Sequence, residues 1–92
     1  MEFLSHHIEA LIFTTEHPIT VREIKSVLDE TFETDFSEAD ILRGIASLRE
    51  RYAQAEFAFE IIEIAEGFQF LTKPPYHSSV GTFLRQDRKS VV

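Results

Sequence analysis

A chain of 92 residues, 43% hydrophobic and 27% charged, has room for one modest core and the balance of an ordinary folded domain, which excludes two independent domains and a disordered segment. Its formal net charge of −7 is unevenly placed, with five Lys and Arg against fifteen Asp and Glu in residues 1–72, and four against one in residues 73–92. Phosphate binding depends on Lys and Arg displacing counterions, so the acidic body disfavours nucleic acid and only the basic tail favours it.

From Phe3 to Thr15 the residues Leu4, Ile8, Leu11, Ile12 and Thr15 recur at spacings of three and four, which predicts a first helix. The N-terminal stretch from Met1 to Phe13 is interrupted by Glu2, His6, His7 and Glu9, so it lacks the apolar run of a signal peptide or a membrane span, and a cytoplasmic location is expected. His17-Pro18 stops the helix, and Ile19 follows as a short extended piece able to add a small strand. Thr20-Val21-Arg22-Glu23 has the reciprocal pattern of a capping box and opens a second helix, with Ile24, Val27, Leu28 and Phe32 as its buried face.

Ser37 caps a third helix whose first turn holds Glu38 and Asp40, where the helix dipole favours negative charge. Ile41, Ile45, Leu48 and Tyr52 form its apolar face. From Phe57 onward branched and aromatic residues alternate as in a strand, Ala65-Glu66-Gly67 forms the connection with Gly67 marking the turn, and Phe68–Thr72 returns. Pro74 and Pro75 end the hairpin, and a last short helix is expected from Tyr76 to about Leu84, carrying Val80, Phe83 and Leu84. Three helices and a two-stranded hairpin followed by a short C-terminal helix make an α+β winged helix-turn-helix. The domain is expected over residues 1–85, with 86–92 a polar tail or the start of an interdomain linker.

Phe supplies nine of the eleven aromatic residues, so phenyl rings are expected to provide much of the core. With no cysteine there is no disulfide framework and no thiolate metal ligation, which agrees with a reducing compartment. His6, His7, His17 and His77 show no ligand spacing, and solvated surface histidines explain them better than a metal site. No phosphate loop or nucleophile–base pair accompanies the carboxylates, so neither catalysis nor a cofactor is expected.

The run Phe59-Glu60-Ile61-Ile62-Glu63-Ile64-Ala65-Glu66-Gly67-Phe68-Gln69-Phe70-Leu71-Thr72-Lys73-Pro74-Pro75-Tyr76 resembles the wing of the bacterial segregation and condensation protein B family. That wing has a strand of type I-E-L-V-E-V-A, a glycine turn, an aromatic-x-apolar strand and the closing phrase T-K-P-x-Y, matched here by Thr72, Lys73, Pro74 and Tyr76. Ile8-Glu9-Ala10-Leu11-Ile12-Phe13, followed after two residues by Glu16-His17-Pro18-Ile19-Thr20, is similar to the family opening I-E-A-L-L-F-x-x-x-x-P-L-S. The resemblance runs from Ile8 to Leu84. Three positions depart from it: Glu66 stands where glycine is usual, which points to a different turn geometry, and Gln69 and Leu71 replace residues commonly Arg, which weakens a DNA-binding role.

The resemblance implies a non-catalytic subunit of the chromosome-condensing complex, associated with a kleisin (ScpA-like) and an SMC ATPase, near the nucleoid, and meeting DNA only through that complex. It also implies two tandem winged-helix domains in family members, the first for homodimerisation and the second for gripping the kleisin. This chain then corresponds to the first, as an excised domain or a shortened protein.

Strand alternation nominates the interface. With Phe59, Ile61, Phe68 and Phe70 toward the helices, Ile62, Ile64 and Leu71 face outward, a side too apolar to be solvated. Either this face meets another chain, such as a second copy, with Phe57 or Phe83 of the last helix adding area, or the last helix folds back and covers it through Val80, Phe83 and Leu84. The rival function is a DNA-binding transcriptional regulator reading the major groove with Arg43, Arg49 and Arg51 of the third helix. Against it, Glu38, Asp40 and Glu50 share that helix, and Arg43 has a partner in reach at Asp40 or Ser47.

Overall fold

The computed structural model describes residues 3–91 as α1 (Leu4–Thr14), β1 (Ile19–Thr20), α2 (Val21–Phe32), α3 (Glu38–Tyr52), β2 (Phe59–Ile64), β3 (Gly67–Thr72), a 3-10 turn (Pro74–Tyr76) and α4 (His77–Val91). The strands form one antiparallel sheet in the order β1-β3-β2, so Ile19 does contribute a third strand, and the architecture is the winged helix-turn-helix expected from the sequence.

Local chemistry sets the element ends. Thr20 Oγ1 accepts from the Glu23 amide at 3.1 Å while the Glu23 carboxylate accepts from the Thr20 amide at 2.9 Å, completing the capping box. Ser37 Oγ accepts from the Asp40 amide at 3.0 Å and opens α3. Between α2 and α3 the chain turns through Glu33 in the left-handed region (φ 49°). An ionic clamp holds that turn: Lys25 Nζ lies 2.6 Å from both Asp29 and Asp35, and Asp29 Oδ1 accepts from the Phe36 amide at 2.8 Å. Lys25 first, then the Phe36 amide, holds the Asp29 carboxyl below the usual carboxylate range, and the two aspartates push Lys25 upward.

The core lies where α1, α2 and α3 meet, and its fully buried side chains are Ile8, Ile12, Ile24, Leu28, Ile41 and Ile45. Gly44 lets α1 and α3 approach, since a Cβ there would stand 2.8 Å from Ile8 Cδ1. Ile61 and Phe68 seal the sheet against this cluster. Two expectations are corrected here. Of the nine phenylalanines only Phe36 and Phe68 are core residues, because branched aliphatic side chains fill the narrow space between short, close helices and leave the rings to its margins. Val27 is 40% exposed, for it sits to one side of the stripe set by Ile24 and Leu28.

The hairpin and the last helix also differ from expectation. The final strand pair is Ile64 with Gly67, so the connection is two residues, Ala65 and Glu66, both left-handed (φ 50° and 66°). Two successive positive φ values belong to the primed turns that match strand twist. The turn keeps the backbone a glycine adopts freely, although Glu occupies it. Gly67 is a strand residue with no positive φ; what it supplies is space, because a Cβ would lie 2.8 Å from Pro18 Cβ and 2.9 Å from the Pro18 carbonyl carbon. Pro74 and Pro75 sit in the 3-10 turn, and α4 continues to Val91, past Leu84. The apolar spacing ends near Leu84, but residues 85–91 contain neither proline nor glycine to stop the helix.

Candidate protein-interaction surfaces

Register fixes the two faces of the hairpin. Ile61 pairs with Phe70, and Glu60, Ile62 and Ile64 pair with Leu71, Gln69 and Gly67. Directly paired residues point the same way, so Ile62, Ile64 and Leu71 share the outer face with Glu60 and Gln69. Ile64 is 38% and Leu71 39% exposed, and Ile62 is half-buried. The helix that could have covered this face packs chiefly on the 3-10 turn and leaves Phe83 (63%) and Leu84 (53%) exposed.

The five nominated residues therefore divide. Ile62, Ile64 and Leu71 lie together. Phe57 is half-buried on the helix side, its ring 4.7 Å from that of Tyr52 and beneath Arg51 at 5.9 Å. Phe83 stands on α4, attached to the body through the 3-10 turn.

A further surface was missed by strand alternation. Phe13, Tyr52, Phe59 and Phe70 line an aromatic cleft of about 340 Å³ between α1, the end of α3 and the inner side of the sheet, with His6, Glu9 and Ala10 on the α1 wall. The Phe70 ring meets Tyr52 edge-on at 5.0 Å and Phe13 at 6.3 Å. Phe13 is 77% and Phe59 49% exposed. The sequence does carry a signal for it: His6, Glu9, Ala10 and Phe13 recur at helical spacing as a second stripe beside the core-facing one. In the cleft wall the Tyr52 hydroxyl donates to the Glu9 carboxylate. That bond, with burial adding to it, raises the Tyr52 phenol above its ordinary range.

The arginines of α3 are engaged within the domain. Arg43 pairs with Asp40. Arg49 donates from Nε to the Ile61 carbonyl at 3.2 Å and lies 5.8 Å from the Phe68 ring, and Arg51 lies over Phe57. His7 meets Phe32 edge-on, and His77 Nε2 is 2.9 Å from the Thr72 carbonyl oxygen. Among the described residues no group of three or more His, Asp or Glu is arranged to hold a metal ion, and no helix is long and apolar enough to cross a membrane.

Solved structures similar to this chain include the following three. A conserved hypothetical protein from Chlorobium tepidum is 27% identical with a TM-score of 0.69, over 88% of this chain and 48% of the other. The structure described as a dimer of the ScpB N-terminal domain complexed with ScpA peptide is 19% identical with a TM-score of 0.77, over 90% and 93%. ScpB from Mycobacterium tuberculosis is 14% identical with a TM-score of 0.75, over 92% and 49%. This chain thus spans about half the length of the Chlorobium and Mycobacterium proteins. Among curated proteins compared by sequence, none matches. The family model for the segregation and condensation complex subunit ScpB matches residues 6–91, and with nearly the whole chain inside that match, the protein belongs to this family.

Proposed function

We propose that the protein is a non-catalytic interaction subunit of a chromosome segregation and condensation complex, forming a homodimer and acting with a kleisin and an SMC ATPase. The observation that carries this reading is the outer face of the hairpin, where Ile64 and Leu71 stand exposed beside half-buried Ile62 as a contiguous apolar group. Support comes from the ScpB N-terminal domain that was crystallised as a dimer with ScpA peptide, since this chain covers 93% of that domain with the same fold. The interface set is Ile62, Ile64 and Leu71, with Phe57 and Phe83 adding area from either side. In this reading the folded unit ends near residue 85, the remainder of α4 begins a linker, and the protein works in the cytoplasm at the nucleoid, meeting DNA through its partners.

Light scattering after size exclusion tests the dimer, and calorimetric titration with the kleisin's ScpB-binding segment tests the partner. A dimer that binds the segment is expected. A chain that stays monomeric over a hundredfold concentration range and gives no heat with the segment overturns the proposal.

A further inference from the structure

The aromatic cleft lies on the helix side of the sheet and shares no residue with the interface set above. Its rings are held in crossed orientations. Phe70 meets Tyr52 at 5.0 Å with the planes at 80°, and Phe13 at 6.3 Å with the planes at 73°. A group seated among these three comes within about 6 Å of each centroid, the range over which a cation is drawn to a ring. Phe59, 49% exposed, extends the wall along β2.

One carboxylate stands in this wall. Glu9, half-buried on α1, accepts from the Tyr52 hydroxyl and brings its charge to the edge of the rings. No Lys or Arg is among the lining residues, whose other ionisable groups are His6 and Tyr52 itself. Residues 1–72 carry five Lys and Arg against fifteen Asp and Glu, so the wider potential also favours a cation.

The shortage of acceptors narrows the class of cation. An ammonium or a guanidinium brings several N–H donors, each needing an acceptor once water is displaced. Phenyl rings supply none, and Glu9 and Tyr52 are already bonded to each other. A trimethylammonium group carries the charge with no donor to satisfy, and it meets the rings with methyl groups. A cleft of about 340 Å³ stands at the lower end of ligand pockets, roughly 300–1,000 Å³, which leaves room for such a group and a short chain.

We propose that the cleft bounded by Phe13, Tyr52, Phe59 and Phe70 is a cage for a trimethylammonium group, with Glu9 as its counter-charge. The site is independent of the dimer reading.

The test titrates the 92-residue chain with three probes of one skeleton. Choline has the charge and the methyl groups, ethanolamine the charge alone, and 3,3-dimethyl-1-butanol the methyl groups alone. Aromatic side-chain NMR shifts of Phe13, Phe59 and Phe70 read the site. Choline is expected to bind saturably with a Kd on the order of 1–10 mM, and each of the others about tenfold more weakly. Phe13→Ala removes a ring that is 77% exposed and should weaken choline about fivefold. Glu9→Gln should narrow the gap between choline and its neutral counterpart. Circular dichroism verifies folding, and Leu42→Ala, on exposed α3 surface outside the cleft, should change nothing. A capped peptide with one trimethyl-lysine separates a free solute from a modified protein side chain, the tighter of the two being the source of the group. Equal binding of choline and 3,3-dimethyl-1-butanol reduces the cleft to an apolar hollow, and equal binding of ethanolamine removes the preference for methyl groups. Choline shifts that do not saturate, or that fall outside the cleft, remove the site. Each of these three results overturns the proposal and leaves the dimer reading untouched.

Discussion

The hydroxyl of Tyr52, in the last turn of α3, donates to the carboxylate of Glu9 in the middle of α1, joining two helices across 43 residues of sequence at the edge of an aromatic cleft. Removing the donor leaves a partly buried carboxylate without its partner, so Tyr52→Phe is expected to cost about 1 kcal/mol in chemical denaturation. Because the folded state raises the Tyr52 phenol, the bond contributes fully below the ordinary tyrosine range and fades as pH climbs through the raised value. Absorbance titration in a Tyr76→Phe background isolates Tyr52. Its midpoint should fall on introducing Glu9→Gln, and an unchanged midpoint would remove Glu9 as the cause.

Acid stability should depend on the clamp at the α2–α3 turn. Lys25 and the Phe36 amide lower the Asp29 carboxyl, and the Thr20 amide first, then its hydroxyl, lowers Glu23. Groups with depressed values stabilise the fold above the ordinary carboxylate range and lose that contribution as pH falls through the folded value. Stability should therefore decline below about pH 4. The decline should be shallower in Asp29→Asn, which starts from a lower plateau; equal slopes in urea titrations at pH 2.5 to 6 would contradict this.

The wing turn makes a paired prediction of opposite sign. Ala65 and Glu66 hold left-handed backbone that costs an L-residue about 1–2 kcal/mol and a glycine nothing, so Glu66→Gly should raise stability by about 1 kcal/mol. Gly67→Ala should lower it by about 1–3 kcal/mol, because the added methyl meets Pro18 backbone that cannot rotate aside. Thermal melts of the two variants should move in opposite directions.

Duplex DNA should not be retained in a sequence-selective way at physiological salt. The charge of the body opposes it, and Arg43, Arg49 and Arg51 are each occupied by a carboxylate, a carbonyl or a ring of the same domain. Fluorescence anisotropy with a randomised duplex pool, followed by competition, measures it directly. Enrichment of one motif would restore the regulator as the better reading.

The features legible in the sequence are those set by neighbours along the chain. The capping box at Thr20, the Ser37 cap and the strand period that sends Ile62, Ile64 and Leu71 outward all follow from spacings of two to four residues. The misjudged features depend on residues far apart. Val27 reads as buried by spacing, yet its exposure is decided by how α2 lies against α3. The phenyl rings count as core material by composition, while the close α1–α3 packing allowed by Gly44 reserves the interior for Ile and Leu. The cleft needs α1, α3 and both hairpin strands together, and its one local trace is the stripe from His6 to Phe13. Gly67 marks the hairpin in the sequence for the wrong reason, since the cause is Pro18, 49 positions away along the chain.

Thr20 holds two posts at once, as the last residue of β1 opposite Gly67 and as the cap of α2. No slack separates the sheet from the helix-turn-helix, so the wing cannot peel from β1 without disturbing the atoms that close the first turn of α2. Wing and helices should open as one cooperative unit, with amide protons of α2 and β3 exchanging at a common rate, and any partner that grips the wing would feel the rigidity of the whole domain behind it.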